Sequence, residues 1–299
     1  MSTRFIHTAD WQLGKPFAGV EDGDNRALLR NQRLEVLRRI GEAARTHHAE
    51  FVLVAGDLFD SPSATRPVVA AACRAIGAMG VPVYAIPGNH DHGGPGSLWE
   101  QDFFRSEREA LAPNLTVLLT PGPVELGTAV LFPCPLRHRH ETVDPTAWLR
   151  SVEGLDARFG DKTRIVLAHG SVQDFGAGAD EDEANGGPAN FLDLGCLDDS
   201  QFDYLALGDW HGTKRITSGS DSCSSSVRSN SARLGQPSDR VPRGGDKASF
   251  GSHAAMSYQG TYDNGVHTAR MTQSAPPGVS VSVPAEHREF SPMSNWART

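Results

Sequence analysis

Apolar residues recur in two rhythms along the first 216 residues. Between residues 24 and 47, Leu28, Leu29, Leu34, Leu37, Ile40 and Ala44 fall at helical spacings. The chain then passes into FVLVAG, a short, continuously apolar run of the kind that forms a strand buried on both faces. A second helix is predicted from Ala64 to Met79, leading into PVYAIPG, and LTVLL, AVLFPCPL, RIVLAHG and FDYLALGD follow as further strand candidates. Phe5 and Ile6 open an earlier strand that runs into HTADWQLGK. Strands alternating with helices predict an α/β domain whose functional loops sit at the carboxyl ends of its strands.

This rhythm stops near Ile216. Residues 217–299 contain a single leucine (Leu234), no isoleucine and 17 serines, a composition too poor in apolar surface to offset the entropy of ordering. The expectation is one domain over residues 1–216 and a low-complexity, largely disordered tail over 217–299, frameshifted or cut short. VSVSV near residue 280 is the one hint of a small β-rich unit there. The tail carries 8 Lys+Arg and 6 Asp+Glu of chain totals of 28 and 36, leaving 20 against 30 in the body, a formal −10. Such an acidic body argues against nucleic-acid binding by simple counterion release unless bound cations or a partner supply positive charge. The run Asp180 to Glu183 adds to the acidity and reads as a solvated loop. Cys73, Cys134, Cys196 and Cys223 lack the paired spacing of a zinc knuckle or a disulfide framework. With no apolar run long enough for a membrane span and no signal-peptide stretch, the expected location is cytoplasmic.

The reactive side chains cluster where the predicted strands end. TADWQ, AGDLFD, PGNHD, LAHG and LGDWHG bring Asp10, Gln12, Asp57, Asn89, His90, Asp91, His169, Asp209 and His211 to one rim. A lone Asp after a strand is ordinarily a helix cap and a lone His a satisfied loop residue, but five such ends in order point to one site. Gly56, Gly88 and Gly208 precede three of these groups and are expected to let the backbone turn tightly.

This order of motifs resembles the calcineurin-like metallophosphoesterase superfamily, and HTADWQLGK … VAGDLFD … IPGNHD most resembles its SbcD-type DNA-repair exonuclease branch. The resemblance spans residues 4–216. It implies an αββα sandwich and a dinuclear site in which two divalent ions clamp a phosphoryl group and share a hydroxide that attacks phosphorus. Asp57 would bridge the ions, Asp10, Gln12 and His211 would complete one site, and Asn89, His169 and Asp209 the other. His90 would protonate the leaving oxygen, and Asp91 would orient it. Oxygen-rich ligation with some imidazole favours manganese, with iron or magnesium as alternatives, over a closed tetrahedral zinc site.

Two positions depart from the superfamily pattern: Gln12 and Asp209 each stand where a His is usual. Both can still coordinate, so the site is expected to work. Asp60, closing GDLFD, reads as a turn or cap residue, and His47 and His48 suit the dipole at a helix end. Arg137, His138, Arg139 and His140 could face a phosphate backbone, although solvated loops explain most such runs. Trp11 and Trp210 could wall the site or simply pack. The leading function is a metal-dependent nuclease on DNA ends in repair, with an SMC-like coiled-coil ATPase partner and a homodimer left possible. The alternatives are a small-molecule phosphatase or phosphodiesterase, and a catalytically impaired binding protein.

Overall fold

The computed structural model describes residues 2–172, 189–194, 197, 201–209, 214–216, 227–229, 256–263 and 266–273. Strand β1 (Ser2–Thr8) is followed by helix α1 (Gly23–Thr46), β2 (Phe51–Ala55), α2 (Arg66–Gly77), β3 (Val83–Ile86), α3 (Asp102–Leu111) and β4 (Leu115–Val117). Next come β5 (Val124–Glu125), β6 (Ala129–Cys134), α4 (Leu155–Phe159), β7 (Thr163–His169), β8 (Ser171–Val172), β9 (Phe191–Leu192) and β10 (Tyr204–Gly208). The last described elements are β11 (Lys214–Ile216), β12 (Val227–Ser229), β13 (Met256–Asp263) and β14 (Val266–Gln273).

Helix α1 begins where the Asp22 side chain accepts a hydrogen bond from the Asn25 amide at 2.7 Å, satisfying one of the free donors of the first turn. Helix α2 begins at Arg66-Pro67, a position where proline costs no hydrogen bond. Both helices lie within two residues of the expected limits, while α3 has no counterpart among the helices read from the sequence.

Twelve of the strands form two six-stranded sheets, ordered β13-β14-β1-β2-β3-β4 and β11-β12-β10-β7-β6-β5, and β8 pairs with β9 in a small sheet of two. β1 to β4 are mutually parallel, as are β6, β7, β10 and β12. Alternation along each strand shows the layering. Phe51, Leu53 and Ala55 of β2 meet Leu131 of β6 and Ile165 and Leu167 of β7 in a core between the sheets. Val52 and Val54 point the other way, to Leu37 and Ile40 of α1 and Ile76 of α2. On the far side, Val166 and Phe132 pack with Leu155 and Phe159 of α4. Both faces of each central strand are therefore apolar, which is why those runs are continuous rather than alternating. The result is an αββα sandwich, as expected.

Within residues 217–299, β13 and β14 form an antiparallel hairpin, and β14 pairs with β1 from Ser2↔Thr272 to His7↔His267. Residues 227–229 also pair, with β10 and β11. The rest of that segment, with Leu234 and VSVSV, lies outside the described residues, as do Asp180 to Glu183. No helix among the described residues is long and apolar enough to cross a membrane.

Candidate metal centre

The centre is built where the parallel strands of both sheets end. Past β1 and β2 the two loops keep running side by side: the Asp10 amide donates to the Gly56 carbonyl at 3.1 Å, Gln12 to Asp57 at 2.8 Å and Leu13 to Leu58 at 3.0 Å. Asp10, Gln12, Asp57 and Asp209 all have positive φ, at 55°, 42°, 54° and 88°. Non-glycine residues seldom hold this left-handed backbone, and its concentration on four candidate ligands is the kind of local strain that accumulates at functional sites.

Glycine is required here mainly for close approach. A Cβ on Gly88 would lie 2.2 Å from Asp57 Oδ1, and one on Gly208 1.9 Å from the Ala55 carbonyl oxygen. Only Gly56 of the three also needs a positive φ, and a Cβ there would stand 2.1 Å from His169 Nδ1. The expectation of tight turns at all three glycines is corrected accordingly: two of them serve to bring strands and ligands together.

Asp10, Asp57 and His169 are buried and offer ligand atoms that all lie within 4.8 Å of one another. His169 Nε2 is 3.6 Å from Asp57 Oδ1, 3.7 Å from Asp209 Oδ1 and 3.2 Å from Asn89 Oδ1. Its Nδ1 lies 2.8 Å from the Ala55 carbonyl, which can only accept, so Nδ1 carries the proton and Nε2 is directed at the acids. Such a backbone anchor is how ligating histidines are commonly held. Asp209 closes the cluster, with its amide 3.4 Å from Asp10 Oδ2 and its Oδ2 accepting from Ser171 Oγ at 3.0 Å.

The electrostatics fit a divalent cation. Burial pushes the Asp10 carboxyl up to about 8, reinforced by the charges of Asp57 and Asp209, and its Oδ1 has no hydrogen-bond partner among the described residues. Burial alone would lower the His169 imidazole, but the charges of Asp57, Asp209 and Asp10 outweigh it and push it up to about 9. A bound cation would offset this crowding of negative charge while taking the orphaned oxygen. Both raised groups must lose their protons before ligating, so metal affinity should climb from pH 7 toward about 9 and then level off. Calorimetric titration in buffers of different ionisation enthalpy should show proton release on binding, and a pH-independent affinity would contradict it.

A model of the calcineurin-like phosphoesterase family matches residues 3–213. The chain belongs to that family. Two solved structures are similar: TT1561 of Thermus thermophilus, at 13% identity over 77% of this chain and 90% of that one with a TM-score of 0.47, and a dimetal phosphatase from Danio rerio, at 14% identity over 77% and 87% with a TM-score of 0.44.

In this calcineurin-like phosphoesterase His90 stands at the edge of the cluster, half-buried. Its amide donates to Asp57 Oδ1 at 2.9 Å, its Nδ1 lies 2.9 Å from the Asp60 carbonyl oxygen, and its Nε2 is 3.9 Å from Asp57 Oδ2. The carbonyl fixes Nδ1 as the donor and leaves Nε2 facing the acids. Asp91 does not orient this ring. Its buried carboxylate accepts from the amides of Phe59 at 2.9 Å and Gly88 at 2.8 Å, tying the GDLFD loop to the GNHD loop. Burial and the nearby Asp57 raise its pKa. The orienting role expected of Asp91 thus falls to the main chain of Asp60.

Gln12 is buried beside these acids, but its amide oxygen accepts from Lys15 Nζ at 2.8 Å, and the same ammonium is 3.5 Å from Asp60 Oδ1. Lys15 was missed by the sequence reading, although a basic residue three positions after a buried amide in the metal loop is a usable signal. With its oxygen held by Lys15, Gln12 anchors an ammonium group beside Asp60 in this geometry. Gln12→Ala should therefore leave metal affinity unchanged and raise KM for a phosphoester. Gln12→His, by adding an imidazole, should tighten manganese more than magnesium. A calorimetric titration showing loss of one ion in the alanine variant would restore Gln12 as a ligand. Arg33 donates to the Trp11 carbonyl at 2.7 Å, and Trp11 Nε1 donates to Thr8 Oγ1 at 2.9 Å, so Trp11 packs and braces the loop. His211 and Trp210 lie outside the described residues.

Proposed function

We propose that the protein is a metal-dependent phosphodiester hydrolase acting on DNA ends. The observation that carries the hydrolase reading is the convergence of Asp10, Asp57, Asn89, His169 and Asp209 in one cluster whose heart, Asp10, Asp57 and His169, is buried, with a half-buried His90 at its edge. Asp10, Asp57, Asn89, His169 and Asp209 would hold two divalent cations, with manganese favoured by a donor set rich in oxygen and holding imidazole. When bound, such cations supply Lewis acidity to a phosphoryl group.

The chain's own residues supply the rest. Asp57 turns Oδ1 to the His90 amide and His169 Nε2 and Oδ2 to His90 Nε2, so both its oxygens face the cluster and it is the residue that would bridge the ions. His90 Nε2, free of the Asp60 carbonyl that holds Nδ1, can deliver a proton to a leaving oxygen. Lys15 places a positive charge beside Gln12 and Asp60, from where it would meet a phosphoryl oxygen. The nuclease reading and an SMC-like coiled-coil ATPase partner are supported by the resemblance of HTADWQLGK, GDLFD and GNHD to the SbcD-type branch. A small-molecule phosphatase would use the same cluster. The test is a panel of linear DNA, a generic phosphodiester and a phosphomonoester, each with manganese, magnesium or chelator. Activity on linear DNA and the diester with manganese is expected, and activity on the monoester alone would sink the nuclease reading.

A further inference from the structure

The loop 137–140, Arg-His-Arg-His, is exposed at all four positions, yet its main chain is held on both sides. On one side lies the GNHD loop. The Leu136 amide donates to the Pro87 carbonyl at 3.4 Å, the Gly93 amide donates to the Leu136 carbonyl at 2.8 Å, and a Cβ on Gly94 would lie 2.4 Å from the Arg137 carbonyl oxygen. On the other side lies Asn190, buried and with φ of 57°. Its Nδ2 donates to the Arg139 carbonyl at 3.0 Å, and its Oδ1 accepts from the Glu141 amide at 2.7 Å. The Asn190 carbonyl also accepts from the amide of Ser171, two residues after His169 and the residue whose hydroxyl holds Asp209. The basic loop is thus held between the loop that carries His90 and Asn190, which is itself bonded to the residues just past His169.

Among the described residues its charge has no ion-pair partner. Arg38, Arg66, Arg150 and Arg164 each pair with a carboxylate, whereas neither Arg137 nor Arg139 forms an ion pair among the described residues. In a body with a formal −10, the loop sets two guanidinium groups with no ion pair among the described residues on a main chain anchored next to the GNHD loop. Guanidinium forks suit phosphate oxygens, and a single scissile phosphate in the centre would not need a second cationic station.

We propose that Arg137 and Arg139, with His138 and His140 beside them, form a subsite for a phosphate flanking the scissile one, so that the preferred substrate is an oligonucleotide strand rather than a small diester. This rests on the phosphodiester reading above. The full-length protein loaded with manganese is titrated with a short single-stranded phosphorothioate oligonucleotide, and turnover of bis(p-nitrophenyl) phosphate is measured in parallel. Arg137→Ala/Arg139→Ala should weaken oligonucleotide binding on the order of tenfold and flatten its log–log salt dependence by roughly 0.7 per arginine. Turnover of the small diester should be unchanged, and Arg137→Lys/Arg139→Lys should retain most of the binding. Equal binding by wild type and the double alanine variant, or no oligonucleotide binding by wild type, overturns the subsite. Loss of small-diester turnover together with binding also overturns it, since the loop would then merely support the centre. Hydrolysis of the small diester by wild type reports on the phosphodiester reading independently, so the two failures are distinguishable.

Discussion

Asp57→Asn should strip the centre of at least one cation and cut phosphoester turnover by roughly 10³-fold or more, because the charge stabilisation at stake is several kcal/mol and each 1.36 kcal/mol is tenfold. Asparagine is chosen because Asp57 has φ of 54°, a backbone that asparagine accepts readily and alanine does not. The amide oxygen can still receive the His90 amide bond that Oδ1 accepts at 2.9 Å, so the fold should survive. The variant removes the largest of the charges that lift His169, so in chelator the imidazole should titrate well below about 9 by NMR. Metal content measured by elemental analysis, the NMR titration and turnover should move together. Full metal occupancy with lost activity would reassign Asp57 from bridge to substrate contact.

What the sequence disclosed and what it hid have separable physical causes. The strands were legible because they are buried on both faces, which makes FVLVA apolar at every position and TRIVLAH apolar without a break from Ile165 to Ala168. Candidate site residues were legible because parallel strands end at one edge, so successive strand ends in the sequence become neighbours in space. Asp10 and Asp209, 199 positions apart, meet for that reason.

Roles within the site were less legible, since they depend on which backbone group lies opposite a side chain. Asp91 follows His90 directly, and adjacency suggested a pair, but neighbouring residues on a loop diverge: Asp91 turns inward to two amides while the His90 ring reaches the Asp60 carbonyl. The Gln12–Lys15 contact is similarly a matter of side-chain reach that spacing leaves open. The hairpin of β13 and β14 was missed because its residues are threonine, tyrosine, methionine and arginine rather than leucine or isoleucine. Asn264-Gly265 between the two strands is the dipeptide that favours a two-residue hairpin turn, and it was the available signal.

His90→Ala separates the acid from the metal ligands. The ring nitrogen Nδ1 is committed to the Asp60 carbonyl, and Nε2 sits 3.9 Å from Asp57 Oδ2, a position from which it can serve a leaving oxygen. Removing the imidazole leaves the His90 main-chain amide, and with it the hydrogen bond to Asp57 Oδ1, in place. Metal content should therefore stay at the wild-type level while turnover falls by about 10²–10⁴-fold, the usual contribution of a positioned proton donor. The loss should be largest for substrates with poor leaving groups and small for an aryl ester whose phenolate departs without help, because only the former need the proton in the transition state. Comparing an alkyl and a nitrophenyl diester, alongside elemental analysis, tests both halves of the assignment. A His90 variant that loses its cations, or that loses the same factor on both esters, would place His90 among the ligands and leave the proton donor to another group.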